Sequence, residues 1–315
     1  MKTYHSAMAA PRFRYFVAAA RELHIGRAAE ALGIAQPALT QQIQALERET
    51  GVRLFRRAGR GIALTDAGAA FLPEAVAALE QEERAVRIAR RAARGELGVL
   101  NIGYVSTAML EPALPSLLHL CRRLVPEAQL HLEEALVEAQ IAALEQRRLD
   151  VAVLRDATAA LPPELRPIPL TRSALLAAVP LSLAARLPRP VPLAELAEEG
   201  FIALRDPHGI GLAHRVWTLC TQAGFAPRIG LRVDSVTSVI GLVAAGLGVS
   251  LVPAGLARLD MPGVELLPLA EEAWSELALV HRPADASPLK LRLLGLVAGE
   301  GRAPRYTTPD QGSGT

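Results

Sequence analysis

The chain has 315 residues, 51 % of them hydrophobic, with a mean hydropathy of +0.24, which supplies apolar surface for two or three compact units. No uncharged, proline-free apolar run approaches the roughly 18 residues of a membrane span, and residues 1–14 lack the sections of a secretion signal, so membrane and export are excluded and a cytoplasmic protein is expected. The net charge of +2 hides an asymmetry: residues 1–95 carry 15 basic against 9 acidic side chains, and residues 96–315 carry 19 against 23. A polyanion-binding N-terminal part and an acidic remainder follow.

Apolar Phe13, Phe16, Val17 and Ala20 recur at helical spacing and predict a first helix over 10–21. The next stretch, 26–47, reads G-R-A-A-E-A-L-G-I-A-Q-P-A-L-T-Q-Q-I-Q-A-L-E: a short helix, a tight turn at Gly33 and a second helix, a helix-turn-helix over about 25–44. At ~100° per residue, Leu39, Ile43 and Leu46 stack on one side of the second helix, while Pro37, Gln41, Gln44 and Arg48 point the opposite way with Thr40 at the margin. Glutamine can pair bidentately with adenine, and a hydroxyl can bond any base, so the polar face suits the major groove of double-stranded DNA.

After Glu49, the glycines Gly51, Gly59 and Gly61 bracket two short β-like pieces, a hairpin or wing carrying Arg53, Arg56, Arg57 and Arg60. Residues 66–94 then form one long alanine-rich helix interrupted only by Pro73, about 40 Å long and more than one small domain can cover. It reads as a linker or a dimerisation helix, with Phe71, Val76, Leu79, Val86 and Ile88 available to a partner.

Gly95 and Gly98 end that helix, and from Val99 short apolar strands alternate with amphipathic helices, the pattern of an α/β unit with a largely parallel sheet. Strands are expected at 99–105, 129–134, 150–154, 174–179, 201–204, 228–233, 249–252 and 277–281, with helices at 112–124, 138–147, 211–223, 236–245 and 289–298. The proline-flanked pieces Pro167–Leu170 and Leu266–Leu269 read as two crossings between lobes, and hence a hinge. A cleft at the strand ends would be lined by Ser106, Thr107, Arg155 and the loop 205–212. Ser106 and Thr107 could bond an anionic ligand or cap the following helix; Arg155 could meet a ligand or pair with Asp156 or Glu134.

Cys121 and Cys220 read as buried free thiols, the histidines have no metal-ligand spacing, and neither a nucleophile–base arrangement nor a phosphate loop occurs, so no metal, cofactor or catalysis is expected.

The pieces F-V-A-A-A-R-E-L-H at 16–24, R-A-A-E-A-L-G-I at 27–34, Q-P-A-L-T-Q-Q-I-Q-A-L-E at 36–47, G-V-R-L-F-R-R at 51–57 and L-T-D-A-G at 64–68 closely resemble the LysR-type transcriptional regulator family. Further on, I-G-Y-V-S-T at 102–107, L-D-V-A-V-L-R at 149–155 and G-L-V-A-A-G-L-G-V-S-L-V-P at 241–253 are similar to its inducer-binding domain. The resemblance implies a winged helix-turn-helix domain over 1–65, a linker helix over 66–95 that pairs two subunits, and a two-lobed α/β effector domain over 96–303, like periplasmic solute-binding proteins. Its lobes would be 96–168 with 270–303, and 169–269; the tail at 304–315, ending P-D-Q-G-S-G-T, has nothing to bury and is expected to be disordered.

The resemblance also implies an oligomer, dimeric through the linker helix and tetrameric overall, that binds and bends promoter DNA, answers to a small, anionic metabolite and acts on RNA polymerase. By position, Gln36, Pro37, Thr40 and Gln41 match its base-contacting residues; Arg27, Arg53, Arg57 and Arg60 match phosphate or wing contacts; Ser106, Thr107 and Arg155 match effector positions. Departures are Ala35 and Gln41, where serine and arginine are commoner, and, among the effector-binding positions of the cleft, Val137 and Leu212, where the muconate-sensing branch has threonine and an aromatic residue and which make this cleft more apolar. The alternative is a DNA-binding repressor or architectural protein whose C-terminal domain serves only assembly.

Overall fold

The computed structural model describes residues 9–157, 160–259 and 261–299. The chain forms two compact units that part at Arg91/Ala92.

The first unit opens with α1 (Ala9–Glu22), α2 (Ile25–Ala31) and α3 (Gln36–Thr50). Ala19, Ala28, Ala29, Leu39 and Ile43 form their common core, the small alanines letting the helices approach closely. Gly33, at φ +67°, makes the α2–α3 turn in a conformation that a side chain disfavours. Strands β1 (Phe55–Ala58) and β2 (Gly61–Leu64) pair antiparallel, Phe55 opposite Leu64 and Ala58 opposite Gly61, which confirms a wing.

The long helix α4 (Asp66–Ala93) continues through Pro73. Its first half belongs to the core of this unit: Phe71 packs edge-on against Phe13 and Phe16, with ring centroids 5.3 and 5.1 Å apart, and Val76 and Leu79 join the same cluster. Phe71, Val76 and Leu79 are therefore half-buried in this core and not fully available to a partner. Val86 and Ile88, each 45 % exposed, are.

In the second unit the chain runs β3 (Gly98–Tyr104), α5 (Ala113–Leu124), β4 (Ala128–Glu134), α6 (Val137–Glu145), β5 (Val151–Arg155) and β6 (Arg166–Pro180). It continues through α7 (Leu181–Ala184), β7 (Gly200–Leu204), α8 (Gly211–Gln222), β8 (Arg228–Val233), α9 (Val236–Ala244), β9 (Ser250–Pro253), β10 (Val264–Pro268), β11 (Trp274–His281) and α10 (Pro288–Gly299). Parallel strands β4, β3 and β5 are extended by antiparallel β11 and β6 to give lobe I. In lobe II, β6 pairs with β9 and β10, and the parallel pair β7–β8 joins through a bridge between Phe201 and Val249. The α/β class holds; the sheets are mixed rather than largely parallel.

The first lobe crossing is a strand, not a loop. Residues Pro167 to Pro169 lie inside β6, opposite Val280, Leu279 and Ala278, and the exchange of partners falls between Ala174, opposite Trp274, and Leu175, opposite Pro253. The lobe boundary is thus later than 168. Proline is tolerated because this half of β6 has β11 on one side only; Pro167 and Pro169, two residues apart, can turn their missing N–H toward the open side. The second expected crossing, 266–269, falls mostly within β10, and the return runs through 269–273. The expected tail at 304–315 lies outside the described residues.

Candidate nucleic-acid interface and ligand cleft

Helix α3 divides as its periodicity predicts. Leu39, Ile43 and Leu46 are buried, and Gln36, Pro37, Gln41, Gln44 and Arg48 are exposed, with Thr40 half-buried between them. Ala35 is the N-cap and offers no side-chain acceptor; Pro37, lacking an N–H, removes one of the amide donors that a serine would have served. The Thr40 hydroxyl donates to the Gln36 carbonyl at 3.0 Å, which leaves its lone pairs to accept from a base.

Around this helix the arginines differ in freedom. Arg48, Arg56, Arg57 and Arg60 are exposed and have no side-chain bond among the described residues. Arg27 donates to the Glu22 carbonyl at 2.7 Å, tying α1 to α2, yet stays 65 % exposed. Arg53 precedes the wing strand and pairs at 2.8 Å with Glu47, an acid that is 8 % exposed. The Glu47 carboxylate also accepts from the Leu54 and Phe55 amides at 2.8 and 3.2 Å, fastening α3 to the wing. Sequence reasoning passed over Glu47, and over His24, whose Nδ1 accepts from the Arg27 amide and caps α2.

In the second unit, a pocket of about 570 Å³, counting solvent at its mouth, opens between the lobes. Val105, Ser106, Glu134 and residues 135–137 line it from lobe I, and Leu204, Asp206 and Asp234 from lobe II. Ser106 and Val137 of the expected ligand residues are there. Leu212 is not: it is 5 % exposed in the lobe II core, among Phe201, Val216 and Leu219.

Thr107 and Arg155 are corrections of a different kind. Both are 2 % exposed. The Arg155 Nε donates to Thr107 Oγ1 at 2.8 Å, Nη1 to Ser173 Oγ and Ser275 Oγ at 3.2 and 3.3 Å, and Nη2 to Glu111 Oε1 at 2.8 Å and the Thr107 carbonyl at 3.4 Å. A guanidinium has five N–H donors, so none remains for a ligand. Thr107 accepts the Arg155 bond, is buried away from the pocket and does not cap the turn that follows β3. Burial pushes the Arg155 guanidinium below its ordinary range, against the attraction of Glu111. The pair lies where β6 and β11 leave lobe I, and its acceptors Ser173 and Ser275 sit on those two strands.

Asp156, next along the chain, takes a left-handed conformation at φ 45° and accepts from Ser275 Oγ at 2.7 Å and the Glu276 amide at 3.0 Å. Burial raises its carboxyl above the usual range. Asp206 is raised by burial too, and further by Asp156, while the Ala213 amide, at 2.9 Å, opposes the shift. Both cysteines are buried, and burial pushes the Cys220 thiol up to about 12, where thiolate chemistry is suppressed at neutral pH.

Residues 11–69 match the family model described as bacterial regulatory helix-turn-helix protein, lysR family, and residues 93–300 match the LysR substrate binding domain. The HTH-type transcriptional regulator YnfL of Escherichia coli K12 is 41 % identical over 269 residues, 85 % of this chain and 90 % of that protein. TfdS of Cupriavidus pinatubonensis JMP 134, another HTH-type transcriptional regulator, is 39 % identical over 82 % of this chain and 87 % of its own. Among solved structures, full-length CbnR complexed with its target DNA is similar with a TM-score of 0.76 at 29 % identity, covering 92 % of this chain and 98 % of that one.

Proposed function

The chain belongs to the LysR family of DNA-binding transcriptional regulators that a small molecule modulates, and on that footing we propose how its own residues divide the work. Gln36, Pro37, Thr40, Gln41 and Gln44 read base edges from α3, while Arg48, Arg57 and Arg60, with Arg27 and Arg53 more tightly held, meet phosphates. The observation that carries this reading is the face of α3 itself: a row of exposed amides on one side of a helix whose other side is the domain core. The DNA complex of CbnR supports the same use of the architecture.

The exposed Val86 and Ile88 on α4 join two copies, which place two recognition helices on one operator, and two such dimers make the tetramer. The effector enters the pocket beside Ser106 and Val137 and shifts the balance between lobe arrangements. The protein works in the cytoplasm as a regulator and not a catalyst, with no resident cofactor, and passes its signal to RNA polymerase.

The test is Gln41→Ala assayed against a footprinted operator and its single-base variants. A good bidentate contact discriminates by about 1–3 kcal/mol, so one base position should lose about five- to a hundredfold selectivity while the others keep theirs. Unchanged discrimination at every position removes Gln41 from base reading.

A further inference from the structure

We propose that the small molecule read by the inter-lobe cleft carries a positively charged nitrogen, an inference that rests on the reading of this pocket as the effector site. The charges of the lining point that way. Glu134 closes β4 on the lobe I side, Asp206 and Asp234 line the same pocket from lobe II, and no basic residue lines it among the described residues. The Arg205 guanidinium, 2.8 Å from Asp234, offsets one of the three. The Glu134 side chain is exposed and has no ion-pair or hydrogen-bond partner among the described residues, and the half-buried Asp206 carboxylate is met by backbone amides, not by a cation.

An anion entering this space would add like charge beside Glu134 and Asp206, neither of which has a cationic side chain bonded to it. A protonated amine between Glu134 and Asp206 would satisfy one carboxylate from each lobe and so bind best when the lobes draw together. That differential affinity is what an effector needs to shift a conformational equilibrium.

A metal ion is the wrong cation, because among the described residues no three His, Cys, Asp or Glu side chains converge to hold one. The rest of the lining describes the remainder of the ligand. Val105, Leu136, Val137 and Leu204 offer an apolar wall for an aliphatic body. The Ser106 hydroxyl, and α6, which opens at Val137 with no side-chain cap, offer donors should the molecule also carry a carboxylate.

Calorimetric titration of the full chain decides this with three series matched in size: n-butylamine and 1,4-diaminobutane; the amino acids norvaline and leucine; and the carboxylates pentanoate and muconate. The expected result is binding in an amine or amino-acid series, weakened about tenfold or more by Asp206→Asn and about two- to fivefold by Glu134→Gln, whose carboxylate is more exposed. Preference for amino acids over amines, abolished by Ser106→Ala, assigns the carboxylate donors as well. Carboxylates that bind more tightly than the nitrogen compounds, or nitrogen compounds indifferent to both substitutions, overturn the charge assignment. If those carboxylates remain sensitive to Ser106→Ala, the cleft itself stands as the effector site. Silence from all three series, with the operator footprint also unchanged by them, overturns the cleft reading and this inference with it.

Discussion

Arginine has opposite uses in the two units. In the DNA-binding unit Arg48, Arg56, Arg57 and Arg60 stand in solvent with their donors uncommitted, whereas Arg155 in the effector unit is 2 % exposed and gives all five donors to its own protein. The difference is one of dielectric environment. A solvated guanidinium keeps its charge at little cost and can exchange water for phosphate; a buried one must be matched atom by atom before any ligand arrives. Arg155 is consequently a structural tie at the base of two strands that leave lobe I, and the charged groups lining the pocket are carboxylates.

The largest effect belongs to the buried member. Arg155→Met strands the Glu111 carboxylate, 7 % exposed, and should cost about 3–5 kcal/mol in urea unfolding of the effector unit. The double substitution Arg155→Met with Glu111→Leu should recover most of that loss. A single variant as stable as the parent would mean that the pair is not the tie described.

On the exposed side, Arg57→Ala should leave stability and base preference unchanged and make the dependence of log K on log salt shallower by about 0.9 per subunit. Arg53→Ala, which also releases Glu47 from its partner, should do the same and additionally lower the melting temperature slightly. Equal melting temperatures for the two variants would contradict the distinction drawn between them.

The smallest effect is a pH profile. Burial holds the folded Asp206 carboxyl above its usual 3.8, so this group's contribution is most favourable below that value and declines as pH rises through the folded value. Asp206→Asn keeps an acceptor for the Ala213 amide but cannot ionise. Its stability relative to the parent should therefore grow from about pH 4 upward and be constant once Asp206 is fully ionised. A difference independent of pH would show that the carboxylate is already compensated.

The recognition face was legible because it rests on positions three, four and seven apart along one helix, and local periodicity fixes which side is apolar. The wing, the long helix and most strands of the effector unit were legible for the same reason, through turn glycines and apolar runs. The lobe crossing was not: two prolines in 167–169 read as a break, and only the position of β6 beside β11, with an open side to spare, makes them acceptable in a strand.

The candidate cleft divides along the same line. Ser106 follows a strand end, a position that the chain order determines, whereas Val137 was placed in the cleft by the family resemblance; both line the pocket. The fate of Arg155 depends on Thr107, Glu111, Ser173 and Ser275, acceptors as far as 120 residues away. Local pattern decides which residues face outward from a single element, because that needs only its own geometry. Which cation is buried, and which acids remain to face a ligand, is decided by elements meeting across the fold, because a charge is defined by its surroundings and the surroundings are assembled from distant sequence.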